Sequence, residues 1–153
     1  MFRMDAIDRK IIHMLQRDGT LTNAALAEHV GASQASCWRR VKALESAGIL
    51  GATVRLVEPR SVGLNVHVLC HVRLKNHLPE SSAAFHGFVE RHPAVMECYS
   101  MSGEWDYLLR VVVADVEGYE AFLMRTLLAH QAVATASSHF ALSVIKYSTE
   151  LPV

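Results

Sequence analysis

Two short stretches carry residue types and spacings suited to binding chemistry. The first is Met101-Ser102-Gly103-Glu104-Trp105-Asp106, set between two apolar runs. A free amino acid presents an ammonium and a carboxylate close together. A site for it needs an acceptor for one and donors for the other. Gly103 lets backbone N–H groups approach a carboxylate closely, and Glu104 or Asp106 can accept an ammonium through charge-assisted bonds. Trp105 offers a flat cover for a side chain. Thr135, Ser137 and Ser138, further along, add hydroxyls. The same residues also suit an ordinary charged hairpin, since Asp and Gly are common in turns. The second stretch is Ser33-Gln34-Ala35-Ser36-Cys37-Trp38-Arg39-Arg40-Val41-Lys42. Gln34 and Ser36 can bond base edges, while Arg39, Arg40 and Lys42 suit phosphates. Trp38 fits either contact with a thymine methyl or sugar, or packing against a neighbouring loop. Packing is the expectation, because large aromatics are usually at least half buried.

These residues need elements to place them. Asp5 can cap a helix with the apolar stripe Ile7, Ile11, Met14 and Leu15, ended near Gly19. Thr22 starts a second helix with Leu26 and Val30 inward. A Gly31-Ala32 turn follows, and Ser33 caps a third helix with Cys37, Val41 and Leu44 inward, stopped at Gly48. Three short helices with a Gly-containing turn between the last two make a helix-turn-helix. The tip of its last helix is the part that enters the major groove of double-stranded DNA. Residues 1–50 are assigned to this DNA-binding domain. They hold seven Lys/Arg against five acids, a net of +2, in a chain whose total charge is zero. A plain helical bundle with a solvated basic face is the bland alternative.

Residues 51–64 read as a linker strand (Val54, Leu56, Val57) and a hinge at Pro59 and Gly63. Residues 65–153 then alternate between periods of two and 3.6. One strand puts Val66, Val68, Cys70, Val72 and Leu74 on one face and His67, Leu69, His71, Arg73 and Lys75 on the other. Pro79 opens a helix with Ala84, Phe85, Phe88 and Val89 inward. Strands at 94–101 and 106–113 flank the Ser102–Asp106 turn. A second helix buries Val116, Tyr119, Phe122, Leu123 and Leu127, and a last strand spans 137–148. The fold class is therefore α+β, with a C-terminal ferredoxin-like β-α-β-β-α-β domain. Both helices cover one sheet face. The other face carries Leu69 and either Tyr107 or Leu108, and suggests sheet-to-sheet association of at least two copies.

At 153 residues and 51% hydrophobic composition, there is enough apolar surface for real cores. No run reaches the length of a membrane span, and the start lacks the pattern of a secretory signal. The expectation is a cytoplasmic protein without membrane partners. Three widely spaced cysteines argue against a disulfide framework. Nine histidines show no zinc-type spacing, and His67 and His71 stand about 13 Å apart along one strand. No metal, cofactor or catalytic residue is expected.

Three segments in register resemble the Lrp/AsnC (feast/famine) transcription regulators over essentially the full length. They are residues 5–50 as a whole, Ser102–Val111 ("SGEWDYLLRV") and Ser137–Val153 ("SSHFALSVIKYSTELPV"). The resemblance implies a sequence-specific DNA-binding regulator whose assembly or DNA affinity responds to a small amino-acid effector. It implies homodimers built through the C-terminal domain, often assembling to octamers. It also places effector contacts around 102–106 and 135–139. Cys37-Trp38-Arg39-Arg40 is similar to a subgroup that includes cysteine-responsive members. Where the family often has Pro-Gly-Val after the last helix, this chain has His130-Gln131-Ala132-Val133. Two other functions share the layout: a sirohaem-decarboxylase-like enzyme using His67, His71, His92 and His139, and an architectural DNA-binding oligomer without effector.

Overall fold

The computed structural model describes residues 3–153, so Met1 and Phe2 of the expected 1–50 domain lie outside the described residues. The chain forms two compact units. One holds the residues up to Leu56 together with Lys146–Val153; the other spans Val57–Ile145.

The first unit contains α1 (Ala6–Arg17), α2 (Asn23–Val30) and α3 (Gln34–Ser46). Each starts where a side chain can satisfy the first free N–H groups of a helix. Asp5 caps α1 by accepting from Ile7 and Asp8 N–H, and the Asp8 carboxylate accepts from Asp5 N–H in return. Thr22 Oγ1 caps α2 and Ser33 Oγ caps α3. Gly31 sits at φ 68°, a left-handed conformation that costs glycine little and turns the chain from α2 into α3. Ile11, Ile12, Leu26, Val30, Cys37 and Leu44 make the core, with Val41 packed against it.

The second unit is a four-stranded antiparallel sheet: β1 (Val66–Leu74), β2 (Val95–Ser100), β3 (Tyr107–Val113) and β4 (Val133–Phe140). Its spatial order is β2-β3-β1-β4. With α4 (Pro79–Arg91) after β1 and α5 (Val116–Phe122) after β3, this is the ferredoxin-like arrangement. α5 continues into a π-helical turn at Leu123–Leu127. Val68, Cys70, Val72, Leu109 and Val111 point to the helices and form one core with Phe85, Tyr119, Phe122 and Leu127. Leu69, exposed on the opposite face, lies across from Arg110 and His139.

Three expectations are corrected. Residues 51–58 form no strand, since among the described residues no neighbouring backbone pairs with them; a 3₁₀ turn follows at Pro59–Val62. β4 begins at Val133 and stops at Phe140, where its ladder with β1 ends at Val68. The last eight residues pack with the first unit. Val116, read as inward, is exposed. Tyr107 lies on the core face, hydrogen-bonded to His86 at 2.8 Å, so Leu108 is the residue of that pair on the open face.

Candidate functional site: a recognition helix and a sheet-end turn

On α3 the outward residues emerge as a polar rod. Gln34, Trp38, Arg39 and Lys42 are exposed, as is Ser33 at the cap, and Ser36 is half-buried. Trp38 is 52% exposed, more open than the expected packing against a loop. Lys42 pairs with Glu45 one turn on at 2.7 Å, a surface contact that exchanges easily with solvent or phosphate.

Arg40 differs from its neighbours. Its Nη1 donates to Asp8 Oδ1 at 2.6 Å and lies 2.8 Å from Asp5 Oδ2. Asp8 is 4% exposed, so the pair is partly desolvated and strong. Hydrogen bonds to Asp8 and Asp5 raise the guanidinium pKa further. Two acids that cap α1 thus hold α3 through one arginine, and Arg40 is turned away from the exposed rod. Asp5 and Asp8 were legible only as capping residues. Their second task needed the packing of α1 on α3.

The Ser102–Asp106 turn is built by its own backbone and by β1. Met101 N–H donates to Asp106 O at 2.8 Å, and Asp106 N–H donates to Val72 O at 3.0 Å. Gly103 sits at φ 108°, where a side chain would strain the backbone. Asp106 is already engaged: Oδ2 accepts from Leu74 N–H at 2.7 Å, and Oδ1 lies 2.8 Å from His77 Nε2. Burial pushes its pKa up. The Leu74 N–H, His77 and Arg73 outweigh burial and hold it below the ordinary carboxylate value.

Arg73 was missed as a site residue. Its guanidinium donates twice to Glu104 O, at 3.0 and 3.1 Å, and once to Glu104 Oε1 at 3.0 Å. It also lies 5.0 Å from the centre of the Trp105 ring, a cation–π contact. Arg73 faces Thr135 across the β1–β4 ladder, and His71 faces Ser137. The turn and the start of β4 therefore meet at one end of the sheet, with Arg73 between them. Strand alternation placed Arg73 on the open face; its reach to the turn follows from the strand order.

The other predicted residues separate by face. Met101, Ser102, Glu104 and Thr135 are exposed, and Trp105 and Ser137 are half-buried. Ser138 pairs with Cys70 on the core side, and its hydroxyl lies 2.6 Å from the Tyr119 hydroxyl. His71 and His139, on neighbouring strands, have ring centres 5.3 Å apart, and His71 Nδ1 is buried without a hydrogen-bond partner among the described residues. Those residues contain no cluster of three or more His, Cys, Asp or Glu placed for a metal ion. Among the described residues no helix is long and apolar enough to cross a membrane.

Comparison with known proteins decides the family. Residues 4–45 match the AsnC-type helix-turn-helix domain, and residues 67–151 match the Lrp/AsnC ligand binding domain. The chain belongs to the Lrp/AsnC family. It is 39% identical over 150 residues to the DNA-binding transcriptional activator DecR of Escherichia coli, covering 98% of this chain and 99% of that one. It is 34% identical to the glutamate uptake regulatory protein of Zymomonas mobilis, covering 99% and 92%. A transcriptional regulator from Neisseria meningitidis, solved in complex with L-methionine, superposes with a TM-score of 0.94 at 37% identity, covering 98% and 97%. An AsnC family regulator from Agrobacterium tumefaciens gives 0.92 at 44% identity, covering 97% of each chain. As a member of this family the chain is a DNA-binding transcription regulator with a ligand-binding domain, and the relatives cited are regulators by name.

Proposed function

We propose that this regulator senses a small free amino acid at the sheet end where the Ser102–Asp106 turn meets Thr135 and Ser137. Arg73 carries the reading, because it joins the turn to the strand that bears the hydroxyls. Ser102 and Gly103 offer backbone N–H groups to the ligand carboxylate, Met101 flanks them with its own N–H held by Asp106 O, and Glu104 accepts the ligand ammonium. Trp105 covers the side chain. Asp106 braces the turn through Leu74 and His77, and Ser138 acts from the core side through Tyr119. The L-methionine held by the neisserial relative supports a free amino acid as the ligand class.

The DNA contacts in this reading are Ser33, Gln34, Ser36, Trp38, Arg39 and Lys42. Gln34 and Ser36 read base edges, and Arg39 and Lys42 take phosphates. Arg40 positions α3 instead of touching DNA. A second copy covers the open sheet face to make a homodimer, which assembles further to an octamer. The protein works in the cytoplasm, without catalysis and without a cofactor. The Cys37-Trp38-Arg39-Arg40 run places it nearest the cysteine-responsive subgroup, so L-cysteine stands beside L-methionine as a candidate effector.

A thermal-shift screen of the twenty amino acids tests the sensing site. A ligand that prefers the folded state stabilises it by about 2.7 kcal/mol at a hundredfold excess over its Kd. At least one amino acid should raise the melting point, and Thr135→Val with Ser137→Ala should remove the rise. A flat response to all twenty overturns the proposal in favour of an effector-independent architectural protein.

A further inference from the structure

Residues 146–153 follow the sensing domain in sequence but pack with the DNA-binding unit. They dock on the end of α1. Gln16 makes a reciprocal pair with the Leu151 backbone: its Nε2 donates to Leu151 O at 3.1 Å, and Leu151 N–H donates to its Oε1 at 2.6 Å. Arg17 Nε donates to Glu150 Oε1 at 2.9 Å, and His13 Nδ1 lies 3.1 Å from the same oxygen. These partners stand 133 to 137 residues apart along the chain. The segment has no core of its own: Leu151 and Tyr147 are exposed, so polar contacts hold it.

We infer that residues 146–153 are a releasable strap through which the ligand-binding domain acts on the recognition helix. The chain enters the sensing domain after Leu56 and returns from it after Ile145. The DNA-binding unit is therefore tethered at both ends. The returning tether is the continuation of β4, the strand that carries Thr135 and Ser137. α1 is the relay. Its C-terminal turn holds the strap through His13, Gln16 and Arg17; its N-terminal cap holds Arg40 of α3 through Asp5 and Asp8. A helix this short moves as one piece, so a shift at one end reaches the other. The contacts suit a switch. They are exposed ion pairs and two backbone bonds, each weak enough to be broken by a modest bias.

The test uses the full chain, the double variant Gln16→Ala with Glu150→Gln, and a chain ending at Ile145. The probe is a duplex from the region upstream of the protein's own gene. Gln16 and Glu150 are surface groups outside both cores, so the double variant keeps the fold where the shortened chain fails. Hydrogen exchange in peptides covering residues 6–17 should speed at least threefold in both altered chains. The Kd for DNA should weaken at least fivefold, with the salt dependence of binding unchanged because no phosphate contact is lost. Unchanged α1 exchange overturns the strap. Faster exchange with a DNA affinity within twofold of the parent overturns the relay, and so does a flattened salt slope. These outcomes concern DNA binding without effector and stand apart from the amino-acid screen.

Discussion

Two adjacent arginines on α3 show how one sequence pattern divides into two jobs. Arg39 is exposed on the rod; Arg40 is held by a buried and an exposed carboxylate. Their substitutions should differ in kind. Arg39→Ala should weaken DNA binding and flatten the dependence of log K on log salt by about 0.9, as one phosphate contact is lost. Arg40→Gln should weaken binding while leaving that slope unchanged, and should cost about 2 kcal/mol of stability because Asp8 is left buried without its partner. Gel shifts at several salt concentrations, with urea unfolding beside them, separate the two. An equal loss of slope in both variants would mean that Arg40 leaves its clamp to reach the duplex. The outward positions of α3 were readable from the sequence, because helical spacing alone puts Gln34, Trp38 and Arg39 opposite Cys37 and Leu44. The role of Arg40 was not readable. It sits at an angle between the two faces, and its partners Asp8 and Asp5 lie 32 and 35 residues away, in the first turn and at the cap of another helix. Trp38 departed from the usual burial of large aromatics, being 52% exposed.

At the scale of elements, the helix layer of the sensing domain carries two histidines against aromatic rings. The His92 ring lies 4.8 Å from Phe122 and 5.7 Å from Phe88. His130 lies 5.0 Å from Phe88. Burial pushes both pKa values below the ordinary 6.5. The unfolded chain therefore takes up protons first as pH falls. Stability is full above 6.5 and declines as pH falls below it. Thermal unfolding between about pH 7 and pH 5 should show this decline, and His92→Phe should reduce it by keeping the ring packing without the titration. A melting point flat over that range would refute the assignment. His130 opens the segment His130–Val133 that departs from the family's frequent Pro-Gly-Val. Element order, most facing residues and the caps of α1 to α3 were legible, because caps and periodicity act locally. The strand expected at 51–58 and the longer β4 were not. β-type residues mark a segment able to pair, and pairing needs a partner that only the sheet supplies.

For the whole molecule, the open sheet face is the largest consequence of the fold. Leu69 and Tyr99 are exposed there, beside half-buried Leu108 and Trp105. It is a mixed face, since Leu69 lies between Arg110 and His139, and the proposed homodimer would cover its apolar part. Leu69→Lys should shift the protein to lighter species in light scattering, while DNA binding weakens through loss of the second half-site. A mass unchanged by Leu69→Lys would show that copies meet elsewhere.

The sequence by itself determined what short-range physics controls. Caps at Asp5, Thr22 and Ser33, left-handed glycines at 31 and 103, and the two periodicities each act over a few residues, and together they settle the helix-turn-helix and the β-α-β-β-α-β order. Only the tertiary structure decided which charged groups are spent on each other. Arg40 with Asp5 and Asp8, Arg73 with Glu104, and Gln16 with Leu151 all join residues at least 31 positions apart. Such pairs depend on how whole elements pack, and no local spacing in the chain encodes that.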